Sequence, residues 1–516
     1  MGIADWVVVL GYLALVAGIG VFAARRSDRG DDFFLAGRSI PAWAASFSVV
    51  ATVLSAATFV GMPQQAFRGD LTYLMFKFAG LPALVIVGIL FLPAYFRSAR
   101  ASIYGVVRDR FGTTAGGATA VSFLAGRLLA SGARLFMASI ALSWAVFGDA
   151  DSDRLAMTIV VVSVGTALYA IAGGIRAVVW TDVLQAVVAV TVGLVGLFIL
   201  WHSIDRPWTE IVALLREGES GDKLRIIDTS TDPGDRFTLW TGMIGLPVFL
   251  VAAYAVDQDH VQRLMTCRSP QEGLKAGVLS NLIGWPIAGL FLLIGSLLWV
   301  ETRVHGTTWV GADGDDRAVM IQFMLAELPM GVRGLMIAGL LAAAMSSLDS
   351  ALNAMAATTL DDLVRPWRRW RGLPALEDGI ATGQGRLFMI GWAVLLALVA
   401  IGLAAWHSQD DRTLLEFALG VMSYAYAGLL GVFIVALFTR RGSAWSVIAA
   451  LIGGSVVVLA TEPILLESLE VRSIPKLALG WRMTIATVFS IIIAVIPTGR
   501  ERSDSTTERA GVTDRY

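Results

Sequence analysis

Apolar stretches of 18 residues or more recur from one end of this 516-residue chain to the other, and nothing else restricts its fold so severely. About 20 apolar residues in a helix cross a hydrocarbon core of roughly 30 Å. A water-soluble domain could not cover that much apolar surface, since 56% of the residues are hydrophobic, only 16% are charged, and the mean hydropathy is +0.70. The chain reads as an all-α polytopic membrane protein whose immediate partner is the lipid bilayer. Net charge is −1, so nothing suggests a nucleic-acid partner, and the four histidines lack metal-ligand spacing. Cys267 is the single cysteine, which rules out an internal disulfide. The first apolar run lacks the charged start and small-residue cleavage site of a removable signal, so it is read as a retained span.

Counting runs between polar breaks predicts thirteen spans, near 6–23, 41–63, 73–96, 118–147, 155–173, 178–201, 237–256, 276–300, 334–360, 387–406, 414–438, 444–461 and 481–497. Lys and Arg gather in cytoplasmic loops. With the N-terminus outside, every inner loop is basic: Arg25, Arg26, Arg29 and Arg38, then Arg97, Arg100, Arg108 and Arg110, then Arg263, Arg268 and Lys275, then Arg365, Arg368, Arg369 and Arg371, then Arg440 and Arg441. The opposite loops at 148–153 and 407–412 are acidic. One transmembrane domain over 1–498 and a short polar cytoplasmic tail over 499–516, expected to be disordered, follow from this reading.

Spans two and seven start on opposite sides, so five-span units beginning there, spans 2–6 and 7–11, would be inverted repeats. Transporters built this way place their sites near the midplane, where the first helix of each unit is broken. Gly242, Gly245 and Pro247 suggest such a break in span seven. In span two the small and polar centre "ATVLSAAT" suggests another.

Span nine carries "LLAAAMSSLDSALNAMA" over 340–356, with Ser346 and Ser347 about ten residues in, or roughly 15 Å at 1.5 Å per residue. Ala51 to Ser55 lie at the same depth in span two. Positions 343, 346 and 347 share one helix face. Their hydroxyls, with carbonyls freed by unwinding near Ala51 and Leu54, would make a neutral oxygen site suited to sodium. The alternative is that both serines bond back to the preceding turn. Asp349 lies one turn further in, where a charge is functional or paired: it would sit on the ion path or pair with an arginine.

Three motifs then give a resemblance. "DDFFLAGRSIPAWAASFSVVATVLSAATFVG", "GGIRAVVWTDVLQ" and "AAAMSSLDSALN", in that order and at the right depths, resemble the sodium/solute symporter family, over spans two to eleven. The resemblance implies a LeuT-type fold, multi-pass localisation in a plasma membrane of the bacterial inner-membrane type, and Na+ as the coupling ion. It also implies a first sodium site formed by Ala51 and Leu54, the Ala343 carbonyl, Ser346 and Ser347. Relatives resembling sialic acid transporters have a second sodium site at the aspartate of the "WTD" motif, here Asp182, which would act with Ser346 and Ser347. Such sites can also use a hydroxyl where this chain has Ala343. Alternatively Asp182 is simply an acid in the first turn of span six.

The solute is expected to be a small organic one, most readily an anion such as a carboxylate or a sialic-acid-like molecule. Arg127 and Arg134 share a face of span four, and arginine grips carboxylates with two parallel bonds. The arginine used by sialic-acid-type relatives falls at Ala130, so the two are candidates for substrate binding or for a structural pair. Ser55, Thr58 and Tyr73 complete the candidate pocket. One positive charge moving down 100 mV releases about 2.3 kcal/mol, which would drive uptake. A proton-coupled transporter of the same fold, with Asp182 or Asp349 as carrier, is the alternative. A membrane-embedded enzyme is disfavoured by the lack of HExxH, GxSxG, P-loop or metal-cluster patterns.

Overall fold

The computed structural model describes residues 2–24, 30–55, 57–98, 100–218, 221–307, 309, 319–407, 414–468 and 475–496. The tail expected at 499–516, the acidic loop at 408–412 and Arg25, Arg26 and Arg29 lie outside them. Eight long apolar helices, two bent helix pairs and three shorter apolar helices account for thirteen spans among the described residues. Span one is Ile3–Ala24, span three Leu74–Arg97, span four Thr113–Phe147, and span eight Pro270–His305. Spans five and six, Ser152–Ile171 and Gly173–Ile204, meet at Gly174, whose φ of 58° suits glycine. A Cβ there would also stand 2.6 Å from the Phe33 carbonyl oxygen. Span nine is Val332–Trp370, span ten Asp378–His407, and spans eleven to thirteen are Leu414–Phe438, Ala444–Ala460 and Leu479–Val495.

The bent pairs fall in spans two and seven, the first helix of each five-span unit. Ala42–Val53 and Thr58–Arg68 are inclined at 63°, as are Thr241–Ala255 and Gln258–Met265. In span two the helix stops where the sequence becomes small and polar: Leu54 has φ −74° and ψ 61°, outside the α region. The break in span seven differs from the expectation. The helix runs on past Pro247, which follows directly on a π-helical turn over Thr241–Gly245, a local adjustment of the kind that lets a membrane helix accommodate a proline. Gly245 is used for close packing, since a Cβ on it would lie 2.6 Å from the Gly480 carbonyl carbon of span thirteen. The helix breaks at Val256 instead, and Asp257 caps the next segment by accepting a 3.0 Å bond from the Asp259 N–H.

Span seven therefore extends through a polar stretch, "DQDHVQR", that reads as the start of a loop. Every residue of Gln258–Met265 is buried. Arg263, counted above among inner-loop cations, is 1% exposed, and Arg268 and Lys275 alone keep that loop basic. Span nine lies at the centre of the bundle, packed against spans one, two, four, six and ten, and from Gly334 to Ala357 it is apolar or small except for its serines, Asp349 and Asn353.

Candidate functional site

The two polar patches predicted to meet do so. Ser346 Oγ donates to the Ala51 carbonyl oxygen at 2.9 Å, joining span nine to the last turn of the first half of span two. Both serine hydroxyls also reach the Ala343 carbonyl, Ser346 at 3.3 Å and Ser347 at 3.2 Å, and Ser347 reaches the Ala344 carbonyl at 3.1 Å. Bonding back to the preceding turn and facing span two thus coexist. All five residues, Ala51, Leu54, Ala343, Ser346 and Ser347, are buried, and every donor atom is neutral oxygen. No group of three or more His, Cys, Asp or Glu able to hold a metal occurs among the described residues. The oxygen set is therefore of the hard, uncharged kind that replaces the water of an alkali cation, not a transition-metal site.

Beside it lies a network of buried charges. Arg127 donates to Asp257 at 2.8 Å and to Asp259. Asp257 also accepts from the Tyr426 hydroxyl. Asp259 in turn accepts from Arg263 at 2.5 Å, and Arg263 reaches Asp182 at 3.2 Å. Asp182 Oδ2 further accepts from Ser48 Oγ at 2.5 Å. The break in span seven makes this possible, because it carries Asp257, Asp259 and Arg263 into the middle of the bundle. Each ion alone would cost several kcal/mol to bury, and their mutual pairing offsets that cost. The network touches the oxygen cluster through Ser350, whose hydroxyl accepts from Arg263 and lies 2.5 Å from the Ser346 carbonyl oxygen.

These contacts revise several expected roles. Arg127 is 1% exposed and held by two carboxylates, so it has no free fork for a solute. Arg134 donates to the Met422 sulfur at 3.4 Å. Asp182 is engaged by Ser48 and Arg263 on one oxygen, while Oδ1 has no partner. Asp349 accepts from the Tyr169 hydroxyl and from Ser350 at 3.0 Å, and no arginine among the described residues pairs with it. Reading the sequence missed Arg263, Asp257 and Asp259. The signal was there in the i, i+4 spacing of Asp259 and Arg263, which lets one short helix neutralise its own charge.

A cavity of about 30 Å³ opens beneath the break in span two, lined among others by Leu54, Thr58, Lys77, His260 and Asn281. Of the candidate pocket residues it takes in Thr58 but not Ser55 or Tyr73. Thr58 Oγ1 bonds the Val53 carbonyl at 2.8 Å, and Tyr73 is stacked on Phe76 at 5.4 Å.

Residues 33–454 match the model of the sodium:solute symporter family. The chain belongs to that family. It is 25% identical over 466 residues to the sodium/sialic acid symporter NanT of Aliivibrio fischeri, covering 89% of this chain and 87% of the relative. It is 27% identical over 462 residues to human sodium-coupled monocarboxylate transporter 1, covering 87% and 72%. The fold matches a solved Na+-coupled sialic acid symporter in a substrate-bound, outward-open state, with a TM-score of 0.81 at 23% identity over 96% of this chain and 97% of the other. This symporter is thus a multi-pass membrane transporter, not an enzyme, and it couples solute movement to Na+.

Proposed function

We propose that this symporter moves a small organic anion together with one sodium ion, which is held by the Ala51, Leu54 and Ala343 carbonyls and the Ser346 and Ser347 hydroxyls. The observation that carries the reading is the Ser346 to Ala51 contact: hydroxyl and carbonyl oxygens from two helices of opposite course converge where span two unwinds. A sodium ion entering there would rotate both hydroxyl protons away and take up the oxygens they now bridge. By holding span two against span nine, the ion stabilises one orientation of the bundle and shapes the adjacent cavity for the solute. Release of both on the other side completes alternating access. The named substrates of the relatives, sialic acid and monocarboxylates, are anions, which supports an anionic solute here.

The N-terminus outside, C-terminus inside orientation goes with this reading, supported by the basic loops at Arg97 to Arg110 and Arg365 to Arg371. The deciding experiment is uptake into proteoliposomes with sodium replaced by choline at fixed pH. Uptake that persists in choline and follows a proton gradient would give the coupling role to a carboxylate and remove sodium from the site.

A further inference from the structure

We propose that Lys77 is the residue that reads the solute's charge, and that the solute is a short-chain monocarboxylate. The inference rests on the anion symport proposed above and adds the residue, the number of charges and the size. Lys77 lies near the start of span three, 8% exposed, with its side chain lining the cavity below the break in span two. No hydrogen bond or ion pair reaches its ammonium group from any described residue. Among the described residues the two fully buried arginines of the bundle are neutralised, Arg127 by Asp257 and Asp259 and Arg263 by Asp259 and Asp182, whereas Arg134 has only the Met422 sulfur. Arg134 sits on span four, which contributes nothing to the cavity wall.

A buried ammonium without a counterion is expensive, and such groups in membrane proteins mark sites where a ligand supplies the missing charge. No acidic side chain lines this cavity, so the anion must come from outside the chain. One ammonium balances one negative charge, which fits a monoanion and disfavours a dicarboxylate. His260 Nε2 also lacks a partner, and with Asn281 it offers polar contacts for a second carboxylate oxygen. The remaining wall is largely apolar, including Val53, Met62, Leu84 and Ala288, matching a short hydrocarbon tail. At about 30 Å³ the cavity has room for roughly two waters, so it must widen for any organic solute, and a compact acid demands the least widening. Leu54 lines this wall and is also one of the carbonyls proposed above for sodium, so solute and sodium would share a residue.

The test uses purified full-length protein with propionate and pyruvate as probes, propionamide as the uncharged match, and succinate and N-acetylneuraminate as competitors. At saturating sodium, wild type should bind propionate or pyruvate, and Lys77→Gln should weaken that binding by about 10- to 100-fold, the range of one charge-assisted bond. Propionamide should bind the two proteins within threefold of each other, and Lys77→Arg should recover part of the carboxylate affinity. Radioactive sodium binding without solute should be unaltered in Lys77→Gln, and the melting temperature of the solute-free protein should rise in Lys77→Met. Equal propionate binding by wild type and Lys77→Gln would overturn the proposal. So would a preference for succinate or N-acetylneuraminate, or a fall in melting temperature in Lys77→Met, which would mean that the lysine is a structural partner. Absence of sodium binding in wild type would instead overturn the sodium site, independently of Lys77.

Discussion

The Ser346 hydroxyl lies 2.9 Å from the Ala51 carbonyl oxygen, across 295 residues of sequence and between two helices that run in opposite directions. Among the described residues Ser347 bonds only within its own helix, to the Ala343 and Ala344 carbonyls. The two hydroxyls should therefore differ. Ser346→Ala removes a ligand and the bridge between helices, and should raise the sodium concentration for half-maximal uptake at least tenfold. Ser347→Ala should raise it less. Solute affinity at fixed sodium must fall by a corresponding factor, because binding couplings are reciprocal. Sodium titrations of uptake and of solute binding check both statements. Unchanged sodium dependence in Ser346→Ala would remove the site.

Much of this was legible in the sequence because lipid leaves few choices. Span number follows from apolar runs, and the depth of Ser346 against Ala51 follows from helix rise. The rest depended on a helix break that the residues signal poorly. Glycine and proline in "TGMIGLPVFL" suggested the break, yet Gly245 is spent on contact with Gly480 and the turn comes at Val256. The polar "DQDHVQR" looked like loop because the three charged groups Asp257, Asp259 and Arg263 can be buried only through pairing that reaches Arg127 on span four and Asp182 on span six, which no local pattern displays. Arg127 looked available for the same reason: its partners lie 130 and 132 residues away.

Arg127→Gln should act on stability before it acts on solute recognition. Removing the guanidinium leaves Asp257 buried without an ion-pair partner and Asp259 with Arg263 alone, and breaking a buried pair costs about 3–5 kcal/mol. The expected result is a clear drop in melting temperature and in the amount of folded protein. Among molecules that survive, the KM for the anion should stay within threefold of wild type. Arg134→Gln, which loses only a contact to the Met422 sulfur, should leave both quantities close to wild type. Thermal melts and uptake kinetics on the same preparations separate the two. A KM raised tenfold or more at unaltered stability in either variant would return that arginine to the pocket.

The loop at 202–236 is tied to the far end of span two by Lys223, whose Nζ donates to the Phe67 carbonyl at 3.0 Å and the Gly69 carbonyl at 2.7 Å and sits 4.9 Å from the Trp299 ring. Burial pushes this amine down to about 8, below its ordinary value of 10.5. Between those two values the unfolded loop holds a proton that the docked loop has released, so docking strengthens as pH rises from about 8 to 10.5. Below pH 8 both states are protonated and the dependence vanishes. The difference in melting temperature between wild type and Lys223→Met should accordingly shift in favour of wild type from pH 8 to pH 10. A difference that is flat, or that moves the other way, would contradict the assignment.

Charge counting gives the sharpest prediction about energetics. Asp182 already has its charge balanced by Arg263, with Ser48 and Arg263 both on Oδ2, so a second sodium there would add an uncompensated positive charge beside a buried guanidinium. With one sodium at the first site and a monocarboxylate at Lys77, each cycle moves no net charge. The 2.3 kcal/mol that 100 mV supplies per elementary charge is then not used. Accumulation should follow the sodium gradient alone, about tenfold for a tenfold gradient. In proteoliposomes carrying a potassium diffusion potential set by valinomycin, the initial rate of pyruvate uptake should be the same at zero and at 100 mV inside negative. The sodium dependence should have a Hill coefficient near 1, in wild type and in Asp182→Asn alike. Stimulation by the potential together with a Hill coefficient near 2 would require a second ion, and Asp182, with its unpartnered Oδ1, would be the place to seek it.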